Sequence, residues 1–415
     1  MEYSATTLVP TVVVGSALFA VAVSLTRRNQ RLDVARLTFS NANIAALIPR
    51  LPTLQGGYRP PLLHPTGLLQ SRLADVPSAA PTPRYTRETF ELAALDQQDG
   101  RSACCPAHVQ RGVVSVDWLP QPATSAPICL LIPGLTGSSS SAYIERTALA
   151  LHAAGLRVGC FNPRGRGGNE LVSPFMYSAG YTEDLRRVVQ RVRETYPGAR
   201  LTAAGYSLGS SYLAKYVGEE GDRCPLSAAA LFACPTNLPK GISQLGRTVA
   251  SRLVDRHALV PSVQRVMREH WEQLRCDERL DLNGAIRALT MQSFDGCAIA
   301  PMMGCGSAQQ YYTEASCEHV LAHARVPLLF LSARNDPIAP AEIIQTQGAR
   351  THMHTHTCIH THAYTNMWAH TPAGIYMHML GRKVRVGRAP VHTTCEPERH
   401  ADEPPCTHHM PGSAS

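Results

Sequence analysis

The sequence lacks the cysteine patterns that build disulfide frameworks or zinc sites. Its thirteen cysteines are an odd number, and no two of them form a CxxC pair. Small disulfide-rich domains and zinc sites both depend on regular cysteine spacing. We therefore interpret the cysteines as mostly reduced, buried apolar side chains, and we predict neither a metal nor a cofactor.

Runs of positive charge are also missing. The formal net charge is +8, but the lysines and arginines are scattered along the 415 residues. A nucleic-acid groove needs basic side chains massed on one surface. The charge pattern therefore argues against a nucleic-acid partner, whereas 44% hydrophobic residues are enough for a large globular core.

An uncharged apolar stretch lies near the start of the chain. Residues 7–25 contain no charged side chain, and nineteen residues are about what a helix needs to cross a bilayer. A group of arginines follows from Arg27, which favours a cytosolic position for the rest of the chain. A signal peptide requires a Lys or Arg before its apolar stretch, and none precedes this one. We predict that residues 1–30 are a single-pass membrane anchor, in the endoplasmic reticulum or another endomembrane. Cleavage near Ala22 with secretion, or the opposite orientation, is the alternative.

The remaining chain divides into segments that differ in composition and in hydrophobic pattern. Residues 31–94 are rich in proline and have a weak hydrophobic pattern. We predict that they form a lead, meaning a segment that connects the anchor to the main domain and packs on that domain. Short apolar runs then alternate with helical patterns, which predicts an α/β fold with a mostly parallel sheet. A long, mainly helical insertion at about 235–320 is interpreted as a lid. Strands are predicted at residues 112–119, 128–133, 156–162, 200–205, 226–234 and 326–333, and helices at 143–154, 181–196 and 208–217.

One pentapeptide has a pattern that is typical of a catalytic turn. Residues 205–209 read GYSLG, a G-x-S-x-G motif that follows a predicted strand and precedes a predicted helix. This context is typical of a nucleophile elbow, in which a strained turn exposes the serine and the two glycines avoid clashes. Ser210 and Ser211 lack glycine on both sides. We predict Ser207 as the nucleophile, and an ordinary Gly-Ser turn is the alternative.

A serine hydroxyl needs partner groups before it attacks an ester at neutral pH. The amide of Leu208 follows the nucleophile at a helix start, and Leu135 lies in a glycine-containing loop, so these two amides are the predicted oxyanion hole. Asp336 follows a later strand and is the predicted acid, although Asn-Asp-Pro is also ordinary turn chemistry. The expected chain order of serine, acid and histidine excludes the histidines that precede Asp336.

Several motifs together resemble one family. They are Leu135-Thr-Gly and the segments at residues 162–169, 181–192, 205–221, 310–317 and 326–341. These motifs are similar to those of the membrane-anchored branch of the α/β-hydrolase-domain-containing proteins, which also includes bacterial YheT-like esterases. The resemblance implies an α/β-hydrolase domain over residues 95–345, with Ser207 and Asp336 as nucleophile and acid. It also implies a membrane-bound serine hydrolase that cleaves carboxylic esters of lipids, among them phospholipids and acylglycerols with short or medium chains.

The sequence departs from this family after the acid. The family carries its histidine in a Gly-Gly-His turn, and that turn is missing. Residues 351–366 read THMHTHTCIHTHAYTN, and eleven of the eighteen histidines lie beyond residue 350. No apolar period of 2 or 3.6 survives, so we predict a low-complexity, disordered tail at residues 346–415. His360, His362 and His370 are the nearest histidines by spacing, but no Gly-Gly precedes any of them. His362 is the candidate for the base, and a solvated tail histidine with no catalytic role is the alternative.

The tail leads to further expectations. An ACAC repeat encodes alternating Thr and His, so we hypothesise that the reading frame leaves the ancestral exon near Gln347. Loss of the next strand would expose an apolar sheet edge at residues 326–333. A chain without the base would be a catalytically impaired, membrane-tethered scaffold, which is the alternative to the enzyme. Alternating histidines can also hold nickel or zinc, but the sequence shows no framework for a defined site. The oligomeric state stays open.

Overall fold

The computed structural model describes residues 36–39, 82–93, 111–120, 126–333, 336, 338–339 and 356–361. All of them belong to the first of two units of the chain, Met1–Lys383. The predicted anchor at residues 1–30 lies outside the described residues. Among the residues that are described, no helix combines the length and the apolar character needed to cross a membrane.

A nine-stranded sheet forms the centre of the described part. Its strands are β1 (Arg36–Phe39), β2 (Thr86–Leu92), β3 (Gly112–Trp118), β4 (Ile128–Ile132), β5 (Arg157–Asn162), β6 (Leu201–Tyr206), β7 (Ala228–Phe232), β8 (Leu328–Ala333) and β9 (His356–Thr361). Their order across the sheet is β1-β9-β8-β7-β6-β4-β5-β3-β2. The six strands from β9 to β5 run parallel, and antiparallel strands lie at both edges.

Helices cover the sheet because the inner strands are apolar on both faces. Every residue of β4 and of β6 is buried, as expected for parallel strands between helical layers. The first three helices are α1 (Ala142–Ala153), α2 (Glu183–Thr195) and α3 (Leu208–Glu220). Along α2 the apolar buried positions recur every three or four residues, which gives that helix one face for the sheet. The predicted strands and helices of this region are confirmed to within three residues at each end.

A mainly helical insertion is present between β7 and β8, where the lid was predicted, and it is called the lid below. Its helices are α4 (Leu238–Leu245), α5 (Val249–Val254), α6 (Val260–Glu269), α7 (Trp271–Leu274), α8 (Leu282–Arg287), α9 (Met291–Cys297), α10 (Ile299–Met302) and α11 (Ala308–Ala315). A turn of π-helix, Asp255–Leu259, joins α5 to α6. The lid helices share one hydrophobic cluster with the loop at Leu171–Tyr181, separate from the cluster around the sheet. The lid therefore packs as a second layer over the carboxyl ends of the strands.

Three strands lie outside the predicted limits of the main domain. β1 and β2 fall in the segment interpreted as a lead, and β9 falls in the tail predicted to be disordered. β9 pairs in parallel with β8 along its whole length, from Leu328 opposite His356 to Ala333 opposite Thr361. The expected exposed edge at β8 is therefore wrong, and so is disorder for residues 356–361. Backbone groups supply the ladder, and the β-branched residues in this segment favour an extended chain. The rest of the tail lies outside the described residues.

Candidate active site

The G-x-S-x-G turn connects β6 to α3 in a strained conformation. Ser207 has a φ of 51° and a ψ of −119°, in a region that residues with a side chain rarely adopt. The Ser207 amide donates to the carbonyl of Phe232 at 2.8 Å, and the Ser207 carbonyl accepts from the amides of Ser210 and Ser211. The turn is therefore held from the sheet side and from the helix side.

Glycine is required on both sides of this turn. A Cβ on Gly205 would lie 2.5 Å from the Cα of Ser210, and one on Gly209 would lie 2.2 Å from the carbonyl oxygen of Pro133. Such distances are too short for any side chain. Helix α3 therefore passes directly over β6 and over the loop after β4, and the motif forms the elbow that its sequence predicts.

The loop after β4 lies against Ser207. A Cβ on Gly134 would be 3.3 Å from the Cβ of Ser207, and the Gly134 amide donates to the hydroxyl of Tyr143 at 2.9 Å. Leu135 follows directly, and Leu135, Leu208 and Ser207 line one pocket. Within the described part of the chain, neither the Leu135 amide nor the Leu208 amide donates a hydrogen bond. Both predicted oxyanion donors thus belong to the segments that flank Ser207.

An apolar pocket opens beside the serine. Its empty volume is about 1090 Å³, including the open mouth. Most of its wall comes from the lid, with Leu238, Ile242, Leu245, Leu259, Val263 and Ile299 among its lining residues. Because the wall is apolar and the serine lies at its edge, the pocket suits a hydrocarbon chain attached to a reactive carbonyl.

Asp336 lies just past the carboxyl end of β8. Its side chain is buried, and its Oδ1 accepts hydrogen bonds from the amides of Ile338 at 2.8 Å and Ala339 at 2.9 Å. Ile338 also lines the pocket. The predicted acid is therefore oriented by its own turn and lies at the same edge of the sheet as Ser207.

The predicted base lies largely outside the described residues. His362 and His370 are not described, and His360 belongs to β9, where it pairs with Ser332 of β8. β9 runs parallel to β8, so its carboxyl end lies beside the end of the strand that precedes Asp336. No histidine is among the pocket-lining residues that the structure describes. The assignment of His362 stays a prediction.

Sequence reasoning missed an arginine that connects the lid to the loop after β4. Arg166 donates from Nε to the carbonyl of Thr136 at 2.9 Å and from Nη1 to the carboxylate of Glu269 at 2.9 Å. Beside this pair, Nε2 of His270 lies 2.8 Å from the carbonyl oxygen of Gly165. Glu269 ends lid helix α6, so the arginine, which itself lines the pocket, connects the lid to the loop after β4. The sequence contains Arg166 in the Asn-Pro-Arg-Gly-Arg-Gly-Gly segment, but that segment was used only as a motif of the family resemblance, with no role assigned to the arginine.

A buried acid in the pocket wall was also missed. Asp295 is 6% exposed and accepts a hydrogen bond from the hydroxyl of Tyr312 at 2.7 Å. Burial raises the pKa of Asp295 to about 7, with a further contribution from the nearby charge of Asp255, while the Tyr312 hydrogen bond opposes the shift. The carboxyl is therefore mostly protonated below pH 7, which keeps this part of the pocket uncharged.

Asp295 predicts a pH dependence of stability. Its pKa in the folded chain lies above its ordinary value of 3.8, so its contribution to stability is complete below about pH 4 and is lost as the pH rises to about 7. Across that range we expect the free energy of unfolding of the natural chain to fall by about 4 kcal/mol relative to Asp295→Asn. Urea unfolding of both proteins at a series of pH values measures the difference. A constant difference between pH 4 and 7 would contradict the raised pKa.

Comparison with known proteins agrees with this geometry. The family model Hydrolase_4, described as serine aminopeptidase S33, matches residues 124–368. That range is more than half of the chain and includes both Ser207 and Asp336. It also includes β9 and continues past residue 345, the predicted end of the α/β-hydrolase domain.

Curated relatives match more than half of the chain. Phospholipase ABHD3 of Mus musculus is 33% identical over 246 residues, which are 58% of this chain and 59% of the mouse protein. Monoacylglycerol lipase of Saccharomyces cerevisiae is 28% identical over 223 residues, with 52% of this chain and 49% of the yeast protein covered. The chain thus spans between about half and three fifths of these relatives. Its strand order, its serine elbow and the match to the family model show that the chain belongs to the α/β-hydrolase family.

Proposed function

We propose that this protein is a serine hydrolase that cleaves carboxylic esters of lipids. One observation carries the proposal: Ser207 is held on a strained elbow at the edge of an apolar pocket, beside the amides of Leu135 and Leu208, neither of which has an acceptor among the described residues. A strained turn is maintained where it serves a function, and here it presents a nucleophile.

The proposed reaction uses this arrangement in two halves. The hydroxyl of Ser207 attacks the ester carbonyl, and the amides of Leu135 and Leu208 stabilise the tetrahedral oxyanion. Asp336 orients a histidine that takes the serine proton and returns it to the leaving alcohol. An acyl-enzyme remains, and water, activated by the same base, releases the fatty acid.

The substrate class is proposed from the pocket and from the relatives. The apolar wall suits an acyl chain. Relatives are named as a phospholipase, a monoacylglycerol lipase and, at 28% identity, a medium-chain fatty acid ethyl ester synthase/esterase of Saccharomyces cerevisiae. We therefore propose phospholipids or acylglycerols with short or medium acyl chains. The uncharged stretch at residues 7–25 supports membership of the membrane-anchored branch and a position at an endomembrane.

The proposal is tested on the purified full-length chain in detergent. We expect hydrolysis of a water-soluble p-nitrophenyl ester, a monoacylglycerol and a phosphatidylcholine, with rates that decline as the acyl chains become long. We also expect a fluorophosphonate to modify one peptide, the one that carries Ser207, as detected by mass spectrometry. Heat-denatured protein is the control for labelling. The absence of both hydrolysis and labelling would overturn the proposal.

The missing Gly-Gly-His turn supports a second candidate function. A chain without a base would be a membrane-tethered scaffold that binds lipid and does not turn it over. This candidate predicts binding of a lipid ester with no release of fatty acid. Sequencing of the expressed messenger across the codons for residues 344–364 gives an independent test, because a Gly-Gly-His codon run there would restore the complete triad.

A further inference from the structure

The outer surface of the lid carries exposed apolar side chains. Four large hydrophobic side chains are exposed among the described residues, and three of them belong to the lid: Val249 at 67%, Leu253 at 47% and Leu289 at 56%. Val249 and Leu253 lie four positions apart on α5 and therefore share one face. The Met291 amide donates to the carboxylate of Asp255 at 2.9 Å, which places the segment with Leu289 beside the end of α5. The three side chains thus occupy one region of the lid.

Exposed cations lie in the same stretch of the lid, on α4, on α5 and in the turns that follow them. Lys240, Arg247, Arg252 and Arg256 are all exposed, and none of them forms an ion pair with another described residue. The single carboxylate between residues 238 and 260 is that of Asp255, which is buried. Apolar side chains among unpaired cations are the features of a surface that lies on an anionic membrane.

The same segment of the lid forms the wall of the pocket. Leu245 at the end of α4 and Leu259 at the end of the π-helical turn both line the cavity that contains Ser207. One layer of helix therefore separates the exposed surface from the pocket. A lipid surface in contact with the outside of α5 would lie within a helix diameter of the acyl pocket.

We propose that Val249, Leu253 and Leu289, with the exposed cations of the same stretch of the lid, form a docking surface for an anionic lipid bilayer. The apolar side chains enter the boundary between headgroups and acyl chains, and the cations contact lipid phosphates and carboxylates. The purpose of docking rests on the proposed function, because it brings the pocket to its lipid substrates. The docking itself is independent of any catalytic residue.

The test places a fluorescent probe on the surface. Leu253→Trp in the full-length chain is reconstituted with phosphatidylcholine vesicles that contain about 30% phosphatidylserine, with or without bromine on the acyl chains. We expect bromine to quench about half of the fluorescence that this substitution adds to the natural chain. Val172→Trp is the matched control, since Val172 is the fourth exposed hydrophobic side chain and lies outside the lid. For Val172→Trp we expect little added quenching.

The dependence of docking on charge is tested with the same probe, Leu253→Trp. Arg252→Glu with Arg256→Glu, or vesicles without phosphatidylserine, should reduce the quenching at least about twofold, because anionic lipid no longer holds the lid. Equal quenching of the two probes, or none at Leu253→Trp, would overturn the proposal. The proposal would also be overturned if the double substitution Val249→Ser and Leu253→Ser converted a dimer to a monomer in detergent without lipid. That result would assign the surface to a second copy of the chain.

Soluble-ester hydrolysis separates this inference from the proposed function. We expect Val249→Ser with Leu253→Ser to retain the natural rate on a p-nitrophenyl ester and to lose at least about fivefold in rate on vesicle phospholipid. Loss on both substrates would contradict a docking role. If the natural chain hydrolyses neither substrate, the proposed function fails, and the quenching experiment still decides whether the lid docks.

Discussion

Replacement of Ser207 by alanine is expected to lower kcat for a water-soluble ester by about 10⁶-fold. The substitution removes the only atom that attacks the carbonyl and leaves the amides of Leu135 and Leu208 in place. Binding of substrate in the pocket should change little, because alanine keeps the backbone of the elbow and its hydrogen bond to Phe232. The loss is therefore expected in kcat and not in KM.

The neighbouring serines provide the matched controls. Ser210 Oγ donates to the carbonyl of Ser207 at 2.6 Å, and Ser211 Oγ donates to the carbonyl of Pro235 at 3.1 Å, so both hydroxyls are engaged in structure. Ser210→Ala and Ser211→Ala should keep kcat within about tenfold and lose about 1 kcal/mol of stability each. Unchanged hydrolysis by Ser207→Ala, or loss of fluorophosphonate labelling only in Ser210→Ala, would assign the activity elsewhere.

Asp336→Asn is expected to lower kcat by about 10⁴-fold. The amides of Ile338 and Ala339 both bond to Oδ1, and the oxygen of asparagine can accept these two hydrogen bonds in the same way. The other carboxylate oxygen, Oδ2, is replaced by an NH₂ group. This group donates a hydrogen bond, whereas the carboxylate oxygen would accept one from the ring N–H of the base. The histidine would then adopt the wrong tautomer to deprotonate Ser207.

The measurement is a pair of kcat values with a test of folding. Thermal unfolding of Asp336→Asn should match that of the natural chain to within a few degrees, since the turn is retained. Asp222→Asn is the control for loss of an acid, because Asp222 is 87% exposed and its pair with Arg325 contributes little. If Asp336→Asn hydrolyses esters at the natural rate, Asp336 is not the acid of the site.

The central part of the fold was predictable because local signals agreed. Apolar runs such as Ile128–Ile132 are buried on both faces and cannot be surface segments, and the amphipathic pattern of α2 allows only one buried face. The pentapeptide at residues 205–209 adds a steric signal, since close approach of helix and strand excludes Cβ atoms at Gly205 and Gly209. These constraints act within a few residues, so they can be read along the chain.

The edges of the sheet could not be predicted in this way. β2 and β9 have weak apolar patterns, and each is defined by the strand beside it: Thr86–Leu92 by β3, and His356–Thr361 by β8. Backbone hydrogen bonds between strands distant in sequence leave no mark on composition. A histidine–threonine repeat therefore suggested a tail, although part of it completes the ladder.

The polar groups around the pocket show the same division. The role of Arg166 depends on two acceptors, the Thr136 carbonyl and the Glu269 carboxylate, which lie 30 and 103 residues away in the chain. The raised pKa of Asp295 depends on burial by helices that meet only in the folded lid. Neither property belongs to a residue type or to a spacing, so both require the tertiary structure.

The amino-acid sequence by itself determined the α/β class, the elbow with Ser207, and the strand ends that present Leu135 and Asp336, because each depends on steric rules within a short segment. Only the tertiary structure decided the extent of the sheet, the apolar pocket under the lid and the connection of the lid to the loop after β4. These features arise from contacts between segments far apart in the chain, where burial and pairing, and not local conformational preference, set the free energy.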